Sequence, residues 1–156
     1  MIKEAKIEDI PNVIEVGQRL LDKSVNRAVP VHKPTAFHVL NKFIGNPDYL
    51  LLVAEHDERF TGFVMAACEP FWWDDPVRGR RYVTDWAFYS QRRGDGLKML
   101  NIVREWAWTR PRVVEVTIAT NVLHGDGASD ILFGRAGFQR VGSMYYQPNP
   151  IGIGYE

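Results

Sequence analysis

The sequence is poor in the residues that build disulfide frameworks and metal centres: one cysteine and four histidines stand among 156 residues. A lone Cys68 excludes an internal disulfide framework and any cysteine-based zinc cluster. Its flanks, Met65-Ala66-Ala67-Cys68, read as a strand interior, so it is first a packed thiol and only second a nucleophile. No two histidines stand four apart, so no metal site is expected, and His124-Gly125-Asp126-Gly127 reads as a turn. Neither sign of charge is in surplus, with 19 Lys+Arg against 19 Asp+Glu. Non-specific nucleic-acid binding and a polybasic membrane surface both draw on excess Lys and Arg, so neither is expected. Long apolar runs are missing too: Tyr49–Ala54 falls far short of the roughly 18 residues that cross a bilayer. The opening Met1-Ile2-Lys3-Glu4-Ala5-Lys6 carries acid and no apolar core, so no signal peptide is expected and the location reads as cytoplasmic.

What is present is enough apolar material for a core, 46% hydrophobic and 12% aromatic residues, in a chain the length of one domain covering 1–156. Alternation predicts a strand at Ile2–Ile7, and Glu8, Asp9 and Pro11 then open a helix with Ile10, Val13, Ile14, Leu20 and Leu21 on one face. Pro30 and Pro34 interrupt, and a second helix is expected at Thr35–Ile44 with Phe37, Leu40 and Phe43 or Ile44 inward. Tyr49–Glu55 and Phe60–Glu69 read as a hairpin across His56–Arg59. After a loop rich in Trp and Asp, Arg81–Tyr89 is expected as a strand with Tyr82, Thr84, Trp86 and Phe88 on one face. Val83, Asp85, Ala87 and Tyr89 then share the other. A helix at Leu97–Arg110, a strand at Val113–Ala119, a helix at Ala128–Ala136 capped by Gly137, and a last strand at Phe138–Gln147 complete the order. This β-α-α-β-β-β-α-β-α-β order implies an α/β domain with helices on both faces of the sheet.

Chemistry concentrates at the strand-to-helix turn Ser90-Gln91-Arg92-Arg93-Gly94-Asp95-Gly96. A glycine-bearing turn into a helix leaves amide N–H groups and the positive end of the helix dipole facing outwards, which suits a pyrophosphate. Arg92 and Arg93 add charge that can fork onto phosphate oxygens. The plainer reading is an ordinary turn with solvated arginines. No GxxxxGK[ST] P-loop occurs, and a dinucleotide fingerprint fails because Met99 stands where its third glycine belongs. A nicotinamide enzyme is therefore not expected.

Gln91-Arg92-Arg93-Gly94-Asp95-Gly96 at a strand-to-helix turn, the downstream Ile131-Leu132-Phe133-Gly134-Arg135-Ala136-Gly137-Phe138, and the element order together resemble the GNAT superfamily of acyl-CoA-dependent N-acetyltransferases over nearly the whole chain. The resemblance implies a GNAT-like mixed, mostly antiparallel central sheet flanked by helices on both faces. It implies acetyl-CoA as cosubstrate and no metal, with the coenzyme diphosphate on the turn Gln91, Arg92, Arg93, Gly94, Asp95, Gly96 and Leu97. An alternative register on Phe88–Lys98 shifts the cradle by two residues and keeps Gly94, Asp95 and Gly96 in it. The backbone at Ala87, Phe88 and Tyr89, where the family splays two strands, would hold the thioester carbonyl. Phe133 stands where the family usually carries the tyrosine that protonates the leaving thiolate, and phenylalanine donates no proton. A water, Tyr145 or Tyr146 would have to substitute. Fewer than two strands' worth of chain follows Gly137, so the last strand is expected to be short, irregular, or completed by a second copy in a homodimer.

The chemistry sets the need for further groups. A lysine-like amine with pKa near 10.4 costs about 4.6 kcal/mol to neutralise at pH 7, whereas expelling a thiolate of pKa near 8.5 costs only about 2 kcal/mol. A proton acceptor therefore matters more than a proton donor. The resemblance places Asp85, on the strand before the turn, in that role, with Glu69 as a second candidate. On the residues alone, Asp85 reads more readily as a partner of an arginine or of a backbone N–H than as a proton acceptor. Trp72, Trp73, Asp74 and Asp75 form either an aromatic and acidic mouth for a cationic amine or a packed loop with solvated aspartates. The reading is transfer of an acetyl group from acetyl-CoA to a primary amine of a small molecule or protein, by direct attack in a ternary complex. The rival is a non-catalytic module of the same fold that binds CoA or a protein.

Overall fold

A computed structural model of the chain describes residues 1–23, 30–119 and 128–142. Tyr145, Tyr146, the turn 124–127 and half of the expected last strand lie outside them. In order come β1 (Ile2–Glu4), α1 (Ile10–Asp22), α2 (Lys33–Phe43), β2 (Tyr49–His56), β3 (Arg59–Pro70), β4 (Arg81–Ser90), α3 (Asp95–Trp108), β5 (Val113–Thr117) and α4 (Ala128–Arg135). The strands form one five-stranded sheet in the order β1-β2-β3-β4-β5. Every neighbouring pair is antiparallel except β4–β5, which the α3 crossover makes parallel.

Both faces of the sheet are covered because its central strands are apolar on both sides. Leu51, Val53, Phe63 and Met65 pack against Ile10, Val13, Val16 and Leu20 of α1 and Leu40 and Phe43 of α2. Leu50, Leu52, Val64, Ala66, Cys68 and Val83 pack against Met99, Val103 and Ala107 of α3. Burying one such Leu or Val contributes about 1.5–3 kcal/mol. Cys68 is one of these core side chains, and burial pushes its thiol pKa up, as suits an inert packed group.

Several sequence expectations need correction. The first strand ends at Glu4, and Ile7–Asp9 forms a single tight helical turn that leaves Ile7 exposed. There Asp9 accepts a hydrogen bond from the Lys6 N–H at 2.9 Å. Pro34 opens α2 instead of interrupting it, since a first-turn residue needs no N–H partner. Phe37 faces out of α2, and the inward positions are Leu40 and Phe43. Phe138–Gly142, the described part of the expected last strand, carries no strand pairing.

The largest correction concerns β4. Met65 pairs with Ala87 but Ala66 pairs with Asp85, so Trp86 is an extra residue without a partner: a β-bulge. The face of the strand reverses there. Val83 and Phe88 pack on the α3 side, Ala87 and Tyr89 on the α1 and α2 side, and Asp85 joins Val83 instead of Ala87. Strict alternation fails because the inserted residue breaks the two-residue period.

The hairpin between β2 and β3 is tighter than expected, turning on Asp57 and Glu58 alone, with φ of 49° and 61°. Both central residues in the left-handed region is the hairpin geometry that favours Asn-Gly. Asp57→Asn together with Glu58→Gly should add about 1 kcal/mol of stability, raising the thermal midpoint by roughly 2–4 °C for a chain of this size. Calorimetry checks this, and a lowered midpoint would count against the turn assignment.

Candidate functional site

β4 and β5 run together only from Arg81–Val113 to Thr84–Thr117. Beyond that point they part, and the edge of β4 facing β5 takes no backbone partner from Trp86 to Ser90 among the described residues. At the crotch of this fork the Asp85 carboxylate accepts a hydrogen bond from the Ala119 N–H at 2.8 Å. Burial lifts the Asp85 pKa above the ordinary carboxylate value, with the Ala119 N–H pulling the other way. Of the two roles the sequence left open, the contact present is the one with a backbone N–H, and the raised basicity keeps the proton-acceptor role chemically available.

β4 ends at Ser90 and the chain turns into α3 through Gly94, whose φ of +92° belongs to the left-handed region. A Cβ added at Gly94 would meet nothing within 4 Å, so the turn is open on that side. Asp95 N–H donates to Arg92 O at 3.3 Å and Lys98 N–H to Gly94 O at 3.2 Å. The N–H groups of Arg93, Gly94, Gly96 and Leu97 take no acceptor among the described residues. They stand at the positive end of the 14-residue α3. Arg92 and Arg93 are exposed beside them and form no ion pair among the described residues. Asp95 in the first turn offsets part of that positive field. Free amides, two unpaired guanidinium groups and an open side fit a diphosphate.

Neighbouring elements fix this turn. Gly96 is where α4 and β4 close over the start of α3: a Cβ there would lie 3.3 Å from both Leu132 Cδ2 and Phe88 Cζ. The Phe133 ring stands 6.1 Å from that of Phe88 and 6.1 Å from that of Phe138, so Phe133 is a half-buried packing residue beside the fork. Gly137 closes α4 with φ +85°, and Arg104 donates to the Ala136 carbonyl. The Gln91 side chain donates to Tyr89 Oη at 3.0 Å and its N–H to Thr61 O at 2.8 Å, which anchors it to the end of β4.

Structure thus brings Ala87, Phe88, Tyr89, Arg92, Arg93, Gly94, Asp95, Gly96, Leu97, Phe133 and Asp85 to one fork and one helix start. Trp72, Trp73, Asp74 and Asp75 sit in the loop before β4, at the end of that strand away from the turn and nearer the opening of the fork, which follows Thr84. Trp72 is 89% exposed and stacks edge-on against Trp73. Both carboxylates serve the loop itself. Asp74 accepts from Arg80 N–H and Arg80 Nε–H, each at 3.0 Å, and from the Asp75 N–H, while Asp75 accepts from the Val77 and Arg78 N–H groups at 2.8 Å. Sequence reasoning foresaw a backbone N–H partner for Asp85 but not that Ala119 supplies it, and it missed the Tyr89–Gln91 anchor and the Trp86 bulge, which only spatial proximity marks. Among the described residues no group of His, Cys, Asp and Glu could hold a metal ion, and no helix is long and apolar enough to cross a membrane.

No family model and no curated protein matches the sequence. Solved structures do. A predicted acetyltransferase with acetyl-CoA from Clostridium acetobutylicum is 16% identical, with a TM-score of 0.68 over 97% of this chain and 96% of the other. Glucosamine-6-phosphate N-acetyltransferase from Arabidopsis thaliana is 9% identical, with a TM-score of 0.68 over 95% and 97%. A transcriptional regulator from Bacillus halodurans is 16% identical, with a TM-score of 0.67 over 96% and 99%. The chain has the GNAT-type acetyltransferase fold: a mixed, mostly antiparallel sheet with helices on both faces.

The bonds to Asp74 carry a pH prediction. Arg80, first through its N–H and then its side chain, holds the Asp74 pKa down to about 2, below the ordinary 3.8. The ordering this carboxylate gives the loop should be complete above about pH 4 and lost as pH falls towards 2. The Arg80 and Asp75 amide resonances should titrate together near pH 2 and stop titrating in Asp74→Asn. A midpoint at or above the ordinary carboxylate value would show that Arg80 does not hold the group.

Proposed function

We propose that this chain transfers the acetyl group of acetyl-CoA to a primary amine by direct attack in a ternary complex. The observation that carries the reading is the joined pair of features on β4: a backbone edge that is unpaired among the described residues leads straight into a helix start whose amides and two arginines take no partner among them. A long substrate with a diphosphate at one end and a thioester at the other matches that layout. Arg92, Arg93 and the amides of Gly94, Gly96 and Leu97 hold the diphosphate, and the Ala87–Tyr89 edge of β4 orients the thioester carbonyl and stabilises the charge that gathers on its oxygen. The neutral amine nitrogen attacks the carbonyl carbon, a C–N bond replaces the C–S bond, and the sulfur leaves as thiolate. Asp85 takes the ammonium proton, directly or through a water, helped by the burial that raises its basicity. Phe133 cannot return a proton to the thiolate. That step falls to water or to Tyr145, at a cost of about 2 kcal/mol if the thiolate leaves unaided.

The second reading, a CoA-binding module without chemistry, is favoured by two facts: Phe133 replaces a proton donor, and Asp85 already holds the Ala119 N–H. Two experiments separate the readings and test the parts. Gly94→Val places a β-branched residue at φ +92° and should abolish the thermal stabilisation given by CoA; unchanged stabilisation removes the turn from the binding site. Asp85→Asn keeps an oxygen for the Ala119 N–H and removes a charge whose ionisation the fold disfavours at neutral pH. It should melt no lower than the parent at pH 7, still bind CoA, and release thiol from acetyl-CoA in the presence of an amine about 10²–10⁴-fold more slowly. CoA binding with no thiol release from either protein across a broad amine panel favours the module.

A further inference from the structure

Glu69, near the end of β3, stands opposite Tyr82 on the face of the sheet that α2 covers. Two neutral donors grip its carboxylate: Tyr82 Oη–H reaches Oε2 at 3.3 Å, and Trp86 Nε1–H reaches Oε1 at 3.3 Å. No cation of the described residues comes within 4.0 Å of it. The arginines that open β4 are spent elsewhere, Arg81 on Asp48 and the Cys68 carbonyl and Arg80 on Asp74. A half-buried carboxylate held by neutral donors keeps its charge uncompensated, and two donors use only about half of its acceptor positions.

The surrounding rings are braced from behind. Phe71 lies 4.9 Å from the Tyr82 ring, and Phe43 stands edge-on to Trp86 at 5.3 Å. Trp86, which the bulge leaves without a ladder partner on β3, is 55% exposed, and its indole N–H reaches back along the strand to Glu69. An oriented carboxylate beside an open indole face is a cation site. It is not the reacting centre: Tyr82 precedes the opening of the fork by two residues, about 7 Å along the strand, and Asp85 lies on the opposite face of the sheet.

The geometry points to a second-cation subsite made of Glu69, Tyr82 and Trp86, and to an acceptor that is an aliphatic di- or oligoamine. One protonated nitrogen rests on Glu69 against the Trp86 ring while another nitrogen reaches the fork. This rests on the acetyl-transfer reading for its purpose but not for its binding chemistry. The test compares α,ω-diaminoalkanes with 1-aminoalkanes of equal length, by thiol release and by calorimetric binding. The wild-type protein should favour the diamine in kcat/KM by about tenfold or more, chiefly through KM. Glu69→Gln should bring that ratio near one, Glu69→Asp should restore part of it, and Trp86→Leu should reduce it. Should Glu69→Gln fail to fold, the wild-type diamine KM should still rise with salt more steeply than the monoamine KM. A wild-type ratio near one, a ratio that Glu69→Gln does not move, or equal salt dependence overturns the subsite and leaves acetyl transfer standing. Diamine binding that Glu69→Gln abolishes, without thiol release from any amine, supports the subsite and overturns acetyl transfer.

Discussion

Trp86 occupies a place in β4 for which β3 offers no partner, and most of the functional geometry descends from that surplus residue. Side chains alternate along a strand, so one extra residue exchanges the faces of everything after it. Val83 and Asp85 look towards α3 while Ala87 and Tyr89 look towards α1 and α2. A bulge also bends its strand and ends pairing locally, and the parallel ladder to β5 stops at Thr84, two residues before Trp86. Backbone amides that a continuous sheet would have consumed are left at an edge. Asp85 stands at the point of separation and holds the departing chain by the Ala119 N–H.

The second constraint is the passage from β4 into α3. Tyr89 is buried in the core, yet its hydroxyl lies 3.0 Å from Gln91 Nε2 and 3.4 Å from Lys23 Nζ, which pins the last strand residues beneath the turn. Gly94 supplies the left-handed step that a side chain would strain, and Gly96 admits Leu132 and Phe88 to close contact. Rigid packing beneath and open amides above are the two conditions that the proposed diphosphate site would need to bind without reorganisation. The charge is supplied from outside the core by Arg92 and Arg93, where solvation costs little.

Much of this was legible in the residues. The order of strands and helices announced a sheet covered on both faces, and the glycines between β4 and α3 announced a strand-to-helix turn. The reversal of β4 was not legible, since Asp85-Trp86-Ala87 has no composition that distinguishes a bulge from plain alternation. The uses of Asp74 and Asp75 were equally hidden: a carboxylate that binds its own loop and one that faces a ligand are the same residue in sequence. The bond from Gln91 to Tyr89 was hidden for a related reason, its partner being only two positions away yet reached through the bend at the strand's end.

By itself, then, the chain determined which segments become strands and helices, which of their sides are apolar, and where a main-chain turn rich in glycine meets a helix. Those properties follow from local sterics and from the repeat of apolar residues. Tertiary structure alone decided that β4 and β5 diverge, that Asp85 guards the divergence, and that Glu69 meets Tyr82 and Trp86 with no cation of the described residues beside it. Each of these depends on register between strands, and register is an energy of the packed sheet, set by which pairing buries most apolar surface, so no single segment contains it.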